Sequence, residues 1–370
     1  MLGQITGFAI KSDFSEKRDS PINDLLASLV RWQPPPFRGW LIVISFKQIH
    51  AGVCDQKYFL LQSKSFKDHM INKADRMINN RCWESVDAEG GQQMKASPGG
   101  YARANDLSHA MLLLASSDGM GRVLAGGQSL IAAMNMRLST GDMLVDISRI
   151  TELSGVTDEE TTLRIGAFTR HAEIGVNPLI GKHAPLLAEA VTYIAHAAIR
   201  NRGTIGGALA HADPAAEFPA CMVALGATLH IHGPDGERSV AAEDFFQGLF
   251  ETSLEEGEIL TAITVPKAEA DERQVLQEIA RRSGDYALAG LCLVTRSTGH
   301  RISMLSVGAT PVLARNAMVQ LDRGDVDGAV VALREEIDPP SDTQASADYR
   351  RHISGILLRR AVAQSKGDVA

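Results

Sequence analysis

A glycine turn in the segment Val123–Leu130 constrains the fold of this chain more than any other stretch. A short apolar run ends at Gly126 and Gly127, the polar pair Gln128 and Ser129 follows, and a stretch of helical composition then begins. This order predicts a strand, a tight turn and a helix. Adjacent glycines admit positive φ angles and let another group approach the main chain closely. Because the first N–H groups of a helix point outward without partners, the turn predicts an anion-binding site, although an ordinary strand-to-helix turn shows the same pattern.

A second turn of the same kind lies further along the chain, at Arg200–Gly207. It places the hydroxyl of Thr204 directly before the sequence Ile-Gly-Gly. Two turns that combine glycines with a hydroxyl indicate a ligand with more than one phosphate and a long body. Neither turn has the Gly-x-Gly-x-x-Gly pattern of common dinucleotide folds or the Gly-Lys-Ser/Thr pattern of nucleoside triphosphate sites. The pair therefore predicts a different kind of site for a phosphate-bearing ligand.

Length, charge and cysteine spacing limit the function classes open to this chain. Its 370 residues allow two or three domains with cores of their own, and its net charge of −7 argues against nucleic-acid binding. The longest apolar run, at 40–46, falls far short of the roughly 20 residues of a membrane-spanning helix. The first residues lack the pattern of a signal peptide, so a cytoplasmic location is expected. Scattered cysteines without a Cys-x-x-Cys pair argue against structural zinc or an iron–sulfur cluster in this chain, so any iron–sulfur cluster is expected in a partner.

Residues 1–93 differ in composition from the rest of the chain. All three tryptophans fall in this segment, alanine is sparse, and the run Pro34–Pro36 breaks any helix there. The segment shows no sustained hydrophobic period that would bury a core. It is interpreted either as a small appended domain or as an N-terminal extension, disordered or non-native. We favour the extension, because Met94 begins a sequence with the composition of the remainder, and we expect a chain starting at Met94 to fold and bind its ligand.

Strands and helices alternate through the middle of the chain. Asn105 is predicted to cap a helix whose apolar positions share one face. Another helix is predicted to begin at Asp213 and the proline after it, with Asp213 as the cap and a break or kink at Pro219. The alternation indicates an α/β or α+β layered fold. Strands are predicted at 143–147, 162–165 and 227–231.

The last hundred residues follow a charged predicted linker at 267–273. Strands are predicted at 274–280, 287–296 and 302–307, and helices near 311–321 and 329–335. A final helix is predicted to pack one apolar face on the sheet, and that face comprises Tyr349, Ile353, Ile356 and Leu357. Its remaining surface is basic and comprises Arg350, Arg351, Arg359 and Arg360. That basic surface is interpreted as a solvated face, with a contact for another subunit as the alternative.

The two glycine turns, Ala125–Ser129 and Thr204–Gly207, together closely resemble one family. The chain is similar to the FAD-binding medium subunit of the molybdenum hydroxylases, the group that contains carbon monoxide dehydrogenase and xanthine dehydrogenase. The resemblance covers Met94 to about Val362 and includes the closing segment Ser346–His352. It does not cover residues 1–93.

This resemblance implies an α+β architecture with two domains. The first, at 94–268, is expected to be a two-subdomain FAD-binding fold of the p-cresol methylhydroxylase type. The second, at 271–365, is expected to be a small flavoprotein C-terminal domain with a three-stranded antiparallel sheet and helices.

The resemblance also implies which residues bind the diphosphate of FAD. Main-chain N–H groups at glycine turns approach a diphosphate more closely than side chains can, and the hydroxyls of Ser129 and Thr204 add donors. Many relatives have an acidic or amide residue where this chain has Ala208, which leaves one expected polar contact unfilled. The implied residues are Ala125, Gly126, Gly127, Gln128, Ser129, Leu130, Thr204, Ile205, Gly206, Gly207 and Ala208.

Two further side chains are implied near the flavin. Glu217 matches an acidic position that approaches the ribityl chain or the ring, and a helix-surface carboxylate is the alternative. Tyr286 matches an aromatic position beside the isoalloxazine, and a core tyrosine at a strand start is the alternative. His230 and His232 share one face of a strand, but without a third ligand nearby no metal site is predicted.

On this resemblance the chain carries FAD and does not touch the organic substrate. The resemblance implies that a large molybdopterin subunit hydroxylates the substrate and that a small 2Fe–2S subunit passes the electrons to FAD. The FAD then passes them to an external acceptor. The expected assembly is a dimer of heterotrimers. No catalytic side chain is expected, because the flavin performs the redox chemistry. The alternatives are a stand-alone flavin oxidoreductase of the same fold, disfavoured because neither turn contains a His or Cys to tether the flavin, and a non-enzymatic nucleotide-binding module.

Overall fold

The part of the chain that the computed structural model describes, residues 99–139 and 143–367, contains three main sheets with helices packed on them. The contacts between residues divide the chain into two compact units, 1–87 and 88–370. All described residues belong to the second unit. The predicted N-terminal extension, residues 1–93, lies outside the described residues.

A small parallel sheet opens the fold and carries the first glycine turn. Its strands stand in the order β1-β3-β2 and are all parallel. The predicted helix cap at Asn105 is wrong by one residue, because Asp106 has the extended backbone and its carboxylate accepts the His109 N–H at 2.7 Å. The elements are β1 (Tyr101–Arg103), α1 (Leu107–Ala115), β2 (Gly121–Leu124), α2 (Leu130–Asn135) and β3 (Met143–Asp146).

A five-stranded antiparallel sheet forms the second subdomain, in the order β4-β5-β10-β6-β7. Its strands alternate buried and partly exposed residues, as expected of a sheet with one covered face. The predicted strands at 162–165 and 227–231 are present to within two residues. The strands are β4 (Val156–Asp158), β5 (Thr162–Gly166), β6 (Thr228–Gly233), β7 (Gly236–Ala241) and β10 (Ile259–Pro266), with a separate pair β8 (Phe246–Gly248) and β9 (Glu251–Thr252).

Helices that surround this sheet bury the largest apolar core of the described chain. The helix predicted at Asp213 begins four residues later, at Glu217, and runs unbroken to Leu225. The predicted kink is therefore absent, because Pro219 lies in the first turn, where a missing N–H breaks no helical hydrogen bond. The helices are α3 (His171–Val176), α4 (Pro178–His183), α5 (Pro185–Tyr193), α6 (Ala197–Arg200), α7 (Ile205–His211), α8 (Glu217–Leu225) and α9 (Ala242–Phe245).

The C-terminal domain is an antiparallel sheet with three helices on one face. A fourth strand of two residues joins the three predicted ones. The strands are β11 (Arg273–Ala280), β12 (Ala287–Arg296), β13 (Gly299–Leu305) and β14 (Val312–Leu313), and the helices are α10 (Arg315–Asp322), α11 (Val326–Glu336) and α12 (Ala347–Lys366).

The last helix, α12, differs from its predicted faces at two neighbouring positions. Tyr349 is 47% exposed, whereas Arg350 is only 4% exposed. The Arg350 guanidinium donates to the main-chain carbonyls of Leu288 and Ser306 and to the Asp342 carboxylate. Arg350 therefore belongs to the core contact with the sheet and not to the basic surface.

Helix α8 is held at its C-terminal end by the C-terminal domain. Arg301 on β13 donates to the carbonyls of Val223 and Ala224 at 2.8 and 3.1 Å, and Arg296 on β12 donates to Leu225 at 3.2 Å. The last carbonyls of a helix lack the amides of a following turn, and of these three Val223 also accepts the Gly226 N–H at 3.3 Å. The two domains thus jointly fix the helix whose first residue, Glu217, reaches the site described next.

Candidate functional site

The two glycine turns lie against each other. A Cβ built on Gly126 would stand 2.2 Å from the Arg202 carbonyl oxygen and 2.8 Å from the Gly203 Cα. Both neighbours are main-chain atoms, so only glycine permits this approach. A Cβ on Gly207 would in turn lie 3.7 Å from the Ala125 side chain. Stretches about 75 residues apart in sequence thus form one wall.

A cleft of about 930 Å³ opens beside the two turns. Its volume suits a ligand of dinucleotide size rather than a single ion. Of the thirteen predicted site residues, Ile205 alone does not line the cleft, because its side chain is fully buried in the core. The lining ones are Ala125, Gly126, Gly127, Gln128, Ser129, Leu130, Thr204, Gly206, Gly207, Ala208, Glu217 and Tyr286.

The first turn presents free main-chain donors to the cleft. Within the described chain, the amides of Gly126 to Ser129 have no hydrogen-bond acceptor. Gly127 has a φ of 71°, which only glycine adopts without strain. The Gln128 side chain closes the turn by donating to the Gly126 carbonyl at 3.1 Å. Consecutive free amides before helix α2 form an anion seat.

The second turn uses its amides inside the protein. The N–H groups of Ile205 and Gly206 donate to the carbonyls of Thr169 and Ala167 at 3.0 and 2.8 Å. The Gly207 N–H donates to the Thr204 Oγ1 at 3.2 Å, which caps helix α7. The Thr204 hydroxyl keeps its own proton for a ligand. The second turn therefore packs against the first turn and offers a ligand one hydroxyl donor rather than a row of free amides.

His171, which sequence reasoning missed, lies beneath the junction of the turns. Its side chain lines the cleft, is 6% exposed, and faces the main chain of Thr204. Its ring meets Phe218 edge-on at 5.0 Å. Burial lowers the pKa of His171, so the ring is neutral near pH 7. His171 is the first residue of α3, five residues after β5 ends, and no motif in the sequence points to it.

Tyr286 and Glu217 also line the cleft. Tyr286 is 72% exposed, so it is not the core tyrosine of the alternative interpretation. Glu217 is 8% exposed, so it is not a helix-surface carboxylate. The Asp213 carboxylate faces the Tyr286 hydroxyl. Its Oδ1 atom accepts a hydrogen bond from the Ala215 N–H at 2.9 Å. Asp213 thus closes a turn before α8 and is not the predicted helix cap.

The Glu217 carboxyl is protonated at neutral pH. Burial, followed by repulsion from Glu278, raises its pKa to about 8. Burial likewise raises the pKa of Glu278 on β11 to about 7. Buried carboxyls favour the neutral form because charge is poorly solvated away from water. The cleft is therefore bordered by an acid that can donate a hydrogen bond.

This raised pKa predicts a pH dependence of stability. The unfolded chain releases the Glu217 proton near the ordinary pKa of 4.5, and the folded chain releases it near 8. The contribution is thus fully present below pH 4.5 and is lost as the pH rises to 8, by on the order of 1.4 kcal/mol per pH unit. We expect Glu217→Gln to flatten this decline in urea unfolding of the flavin-free protein, and the exposed-site variant Glu335→Gln to keep it. Parallel curves for wild type and Glu217→Gln contradict the assignment.

The two histidines weighed as metal ligands have other partners. The His230 ring bonds to the Thr264 and Ser239 hydroxyls at 2.6 and 2.9 Å, and His232 lies 3.7 Å from Glu237. Across residues 99–139 and 143–367, no group of three or more His, Cys, Asp or Glu side chains is arranged to hold a metal. Over the same residues, every helix is too short or too polar to span a bilayer.

Family models match two consecutive stretches of the chain. A model described as the FAD binding domain in molybdopterin dehydrogenase matches residues 93–268. A model described as the CO dehydrogenase flavoprotein C-terminal domain matches residues 274–365. The first contains both glycine turns, and the second contains the sheet that holds α8.

Individual relatives agree with these models. The chain is 38% identical over 277 residues to the carbon monoxide dehydrogenase medium chain of Afipia carboxidovorans, covering 72% of this chain and 96% of that protein. It is 34% identical over 283 residues to the 6-hydroxypseudooxynicotine dehydrogenase complex subunit alpha of Paenarthrobacter nicotinovorans, covering 74% and 96%. The carbon monoxide dehydrogenase structure from Hydrogenophaga pseudoflava, which lacks the Mo-pyranopterin moiety, aligns with a TM-score of 0.72 at 34% identity, covering 75% and 100%. The chain belongs to the FAD-binding medium subunits of the molybdenum hydroxylases and is the FAD-carrying, electron-transferring flavoprotein subunit of such an oxidoreductase complex.

Proposed function

We propose that this chain holds one FAD non-covalently along the cleft, with the diphosphate on the amides of Gly126–Ser129. The observation that carries the proposal is this row of free amides, held in place where Gly126 packs on the main chain at Arg202 and Gly203. The Thr204 hydroxyl supplies a further donor to the diphosphate. Ala208, whose side chain lines the cleft, supplies shape but no polar contact.

The flavin ring occupies the end of the cleft bordered by Tyr286 and Glu217. FAD supplies the redox chemistry there, taking up electrons and passing them on. The ring of Tyr286, exposed at the rim, covers one face of the flavin and excludes water from it. Glu217 orients the ring or ribityl chain through a hydrogen bond, and α8 keeps it in place from the C-terminal domain.

The proposed assembly contains a small 2Fe–2S subunit, from which the electrons arrive, and a large molybdopterin subunit that holds the organic substrate. Two such heterotrimers form a dimer, located in the cytoplasm. Relatives named as medium chains or as subunits of dehydrogenase complexes support a multi-subunit assembly. We further propose a FAD-binding domain at 94–268, a C-terminal domain at 271–365, and an extension at 1–93 that takes no part in cofactor binding.

Purified protein tests the proposal directly. We expect a flavin absorption spectrum with about one FAD per chain, and release of that FAD on acid denaturation. Mixing with a reduced 2Fe–2S partner subunit is expected to bleach the flavin, and an added acceptor to restore it. The measurements are the visible spectrum and its time course.

Three other results discriminate the alternatives. A chain that folds but neither contains nor takes up FAD contradicts the proposal and favours a non-enzymatic nucleotide-binding module. Flavin that stays with the denatured protein indicates a tethered oxidase. Flavin that accepts electrons from a small substrate, with no need for an iron–sulfur partner, indicates a stand-alone oxidoreductase.

A further inference from the structure

We propose that Glu217 and Glu278 form a proton relay between the solvent and the flavin end of the cleft, an inference that rests on the FAD site proposed above. Two-electron reduction of a flavin consumes protons, whereas iron–sulfur clusters deliver electrons alone. A subunit that receives its electrons in this way needs its own supply of protons at the ring. The relay gives this supply a path through the protein.

The register of α8 against the C-terminal sheet brings the two carboxyls together. Cys221 lies one helical turn after Glu217 on the same face, and its Sγ is 3.7 Å from the Sγ of Cys292. Cys292 pairs with Leu276 across the sheet, and Glu278 follows Leu276 by two residues on the same face. One helical turn and two strand residues cover similar distances, about 5.4 and 6.8 Å. Arg301, which holds the C-terminal end of α8, pairs through Val294 with Gln274 near the start of β11. The first residue of α8 therefore lies toward the other end of β11, where the charge of Glu278 acts on Glu217.

Both carboxyls lack the partners that would hold a charge. Glu217 is more than nine-tenths buried, lines the cleft, and has no hydrogen-bond partner in the described chain beyond its own main-chain amide. The Oε2 atom of Glu278 is buried without any partner there. With pKa values raised by burial to about 8 and about 7, the pair holds protons at neutral pH and exchanges them readily. Proton transfer is easiest between groups whose pKa values match the working pH.

The outer end of the relay reaches partly exposed residues on α5. The Glu189 carboxylate accepts the Leu276 N–H at 3.1 Å, at the edge of the sheet. The Tyr193 side chain faces both Glu189 and Glu278. Glu278 itself is only partly buried, so water can restore its proton. The titratable groups that surround the pair come from all the elements packed on it, and they are His171, Glu189, Tyr193, Asp213, Cys221, Tyr286 and Cys292.

The proposed transfer balances in protons and electrons. As two electrons arrive from the reductant, the O–H bond of Glu217 breaks and an N–H bond forms at the flavin ring. The Glu217 carboxylate then takes a proton from Glu278, and Glu278 takes one from water. A second passage supplies the second proton, so that the net uptake is two electrons from the reductant and two protons from the solvent.

The test follows proton uptake and flavin bleaching together in the full chain with bound FAD. Reduced methyl viologen serves as the donor, because it carries electrons without protons, and a pH-indicator dye in weak buffer at about pH 7 reports the protons. In wild type and in the exposed-site control Glu335→Gln, uptake is expected to keep pace with bleaching. In Glu278→Gln, at unchanged flavin content, uptake is expected to be at least tenfold slower. Glu278→Asp, which restores a carboxyl, is expected to recover part of the rate.

Two results would overturn the relay. Uptake at the wild-type rate in Glu278→Gln with full flavin content contradicts the relay alone and leaves the FAD site standing. A wild-type chain that binds no FAD contradicts the site and the relay with it. As an independent readout, the infrared band of a protonated carboxyl is expected at neutral pH in the flavin-free wild type and reduced in Glu217→Gln; an unchanged band also contradicts the relay.

Discussion

Gly126→Ala is expected to remove FAD from the purified protein, with at least a hundredfold loss of affinity, about 2.8 kcal/mol. The added methyl group would stand 2.2 Å from the Arg202 carbonyl oxygen and 2.8 Å from the Gly203 Cα. A flexible side chain could move away from such a contact, but these atoms belong to the main chain. The two turns must therefore separate, and the row of free amides proposed to bind the diphosphate loses its geometry. The measurement is the flavin-to-protein absorbance ratio, followed by titration of FAD into flavin-free protein.

Gly181→Ala is the matched control for this substitution. Gly181 lies inside helix α4, and a Cβ built there meets no atom within 4 Å apart from its chain neighbours and the backbone of its own helix. Alanine at such a position stabilises a helix by roughly 0.5–1 kcal/mol, so this variant keeps its FAD and gains slightly in stability. Circular dichroism establishes that both variants are folded. A folded Gly126→Ala protein with a full complement of flavin would remove the contact between the turns from the explanation of binding.

Arg350→Ala is expected to lower the free energy of unfolding by about 3 kcal/mol. The buried guanidinium donates to the carbonyls of Leu288 and Ser306. Leu288 lies where the β11–β12 register shifts, so the sheet does not supply its partner. Each buried acceptor left without a donor costs about 1–3 kcal/mol, and the packing of the arginine stem is lost as well. Urea unfolding followed by circular dichroism measures the change.

Arg359→Ala on the same helix is the control. Arg359 is 52% exposed and pairs with Asp327, which is 81% exposed. Surface ion pairs contribute about 0–1 kcal/mol, because water solvates both charges after the pair is broken. A destabilisation of similar size in the two variants contradicts the distinction between the buried and the exposed arginine.

The sequence predicted the parts of the site that depend on the main chain. Glycine pairs, a following helix and a capping hydroxyl are local features, and the structure shows a turn before α2 and a Thr204 cap on α7. The comparisons confirm the fold assignment. Both turns lie in the stretch 93–268 that the family model matches, so the same local features that predict the site also mark the family. The predicted kink at Pro219 and the cap at Asn105 are wrong because each depends on where a helix begins, and a shift of one to four residues changes the role of the residue.

Side-chain environments were decided by contacts that are distant in sequence. Arg350 reads as a surface residue in its helix, yet its guanidinium is drawn inward by carbonyls on β12 and after β13. Glu278 reads as an ordinary strand carboxylate, yet α8 and α5 cover it. His171 carries no motif and gains its place only when the two turns meet over it.

The amino-acid sequence by itself determined the family and the order of the strands and helices, and it predicted the phosphate site, because glycine and capping hydroxyls act through the backbone within a few residues. Only the tertiary structure decided that the amides of the first turn stay free while those of the second donate to the carbonyls of Thr169 and Ala167. It alone decided that two carboxyls share one buried interface. The reason is that hydrogen-bond satisfaction and desolvation are properties of the assembled surroundings, which no local stretch of chain contains.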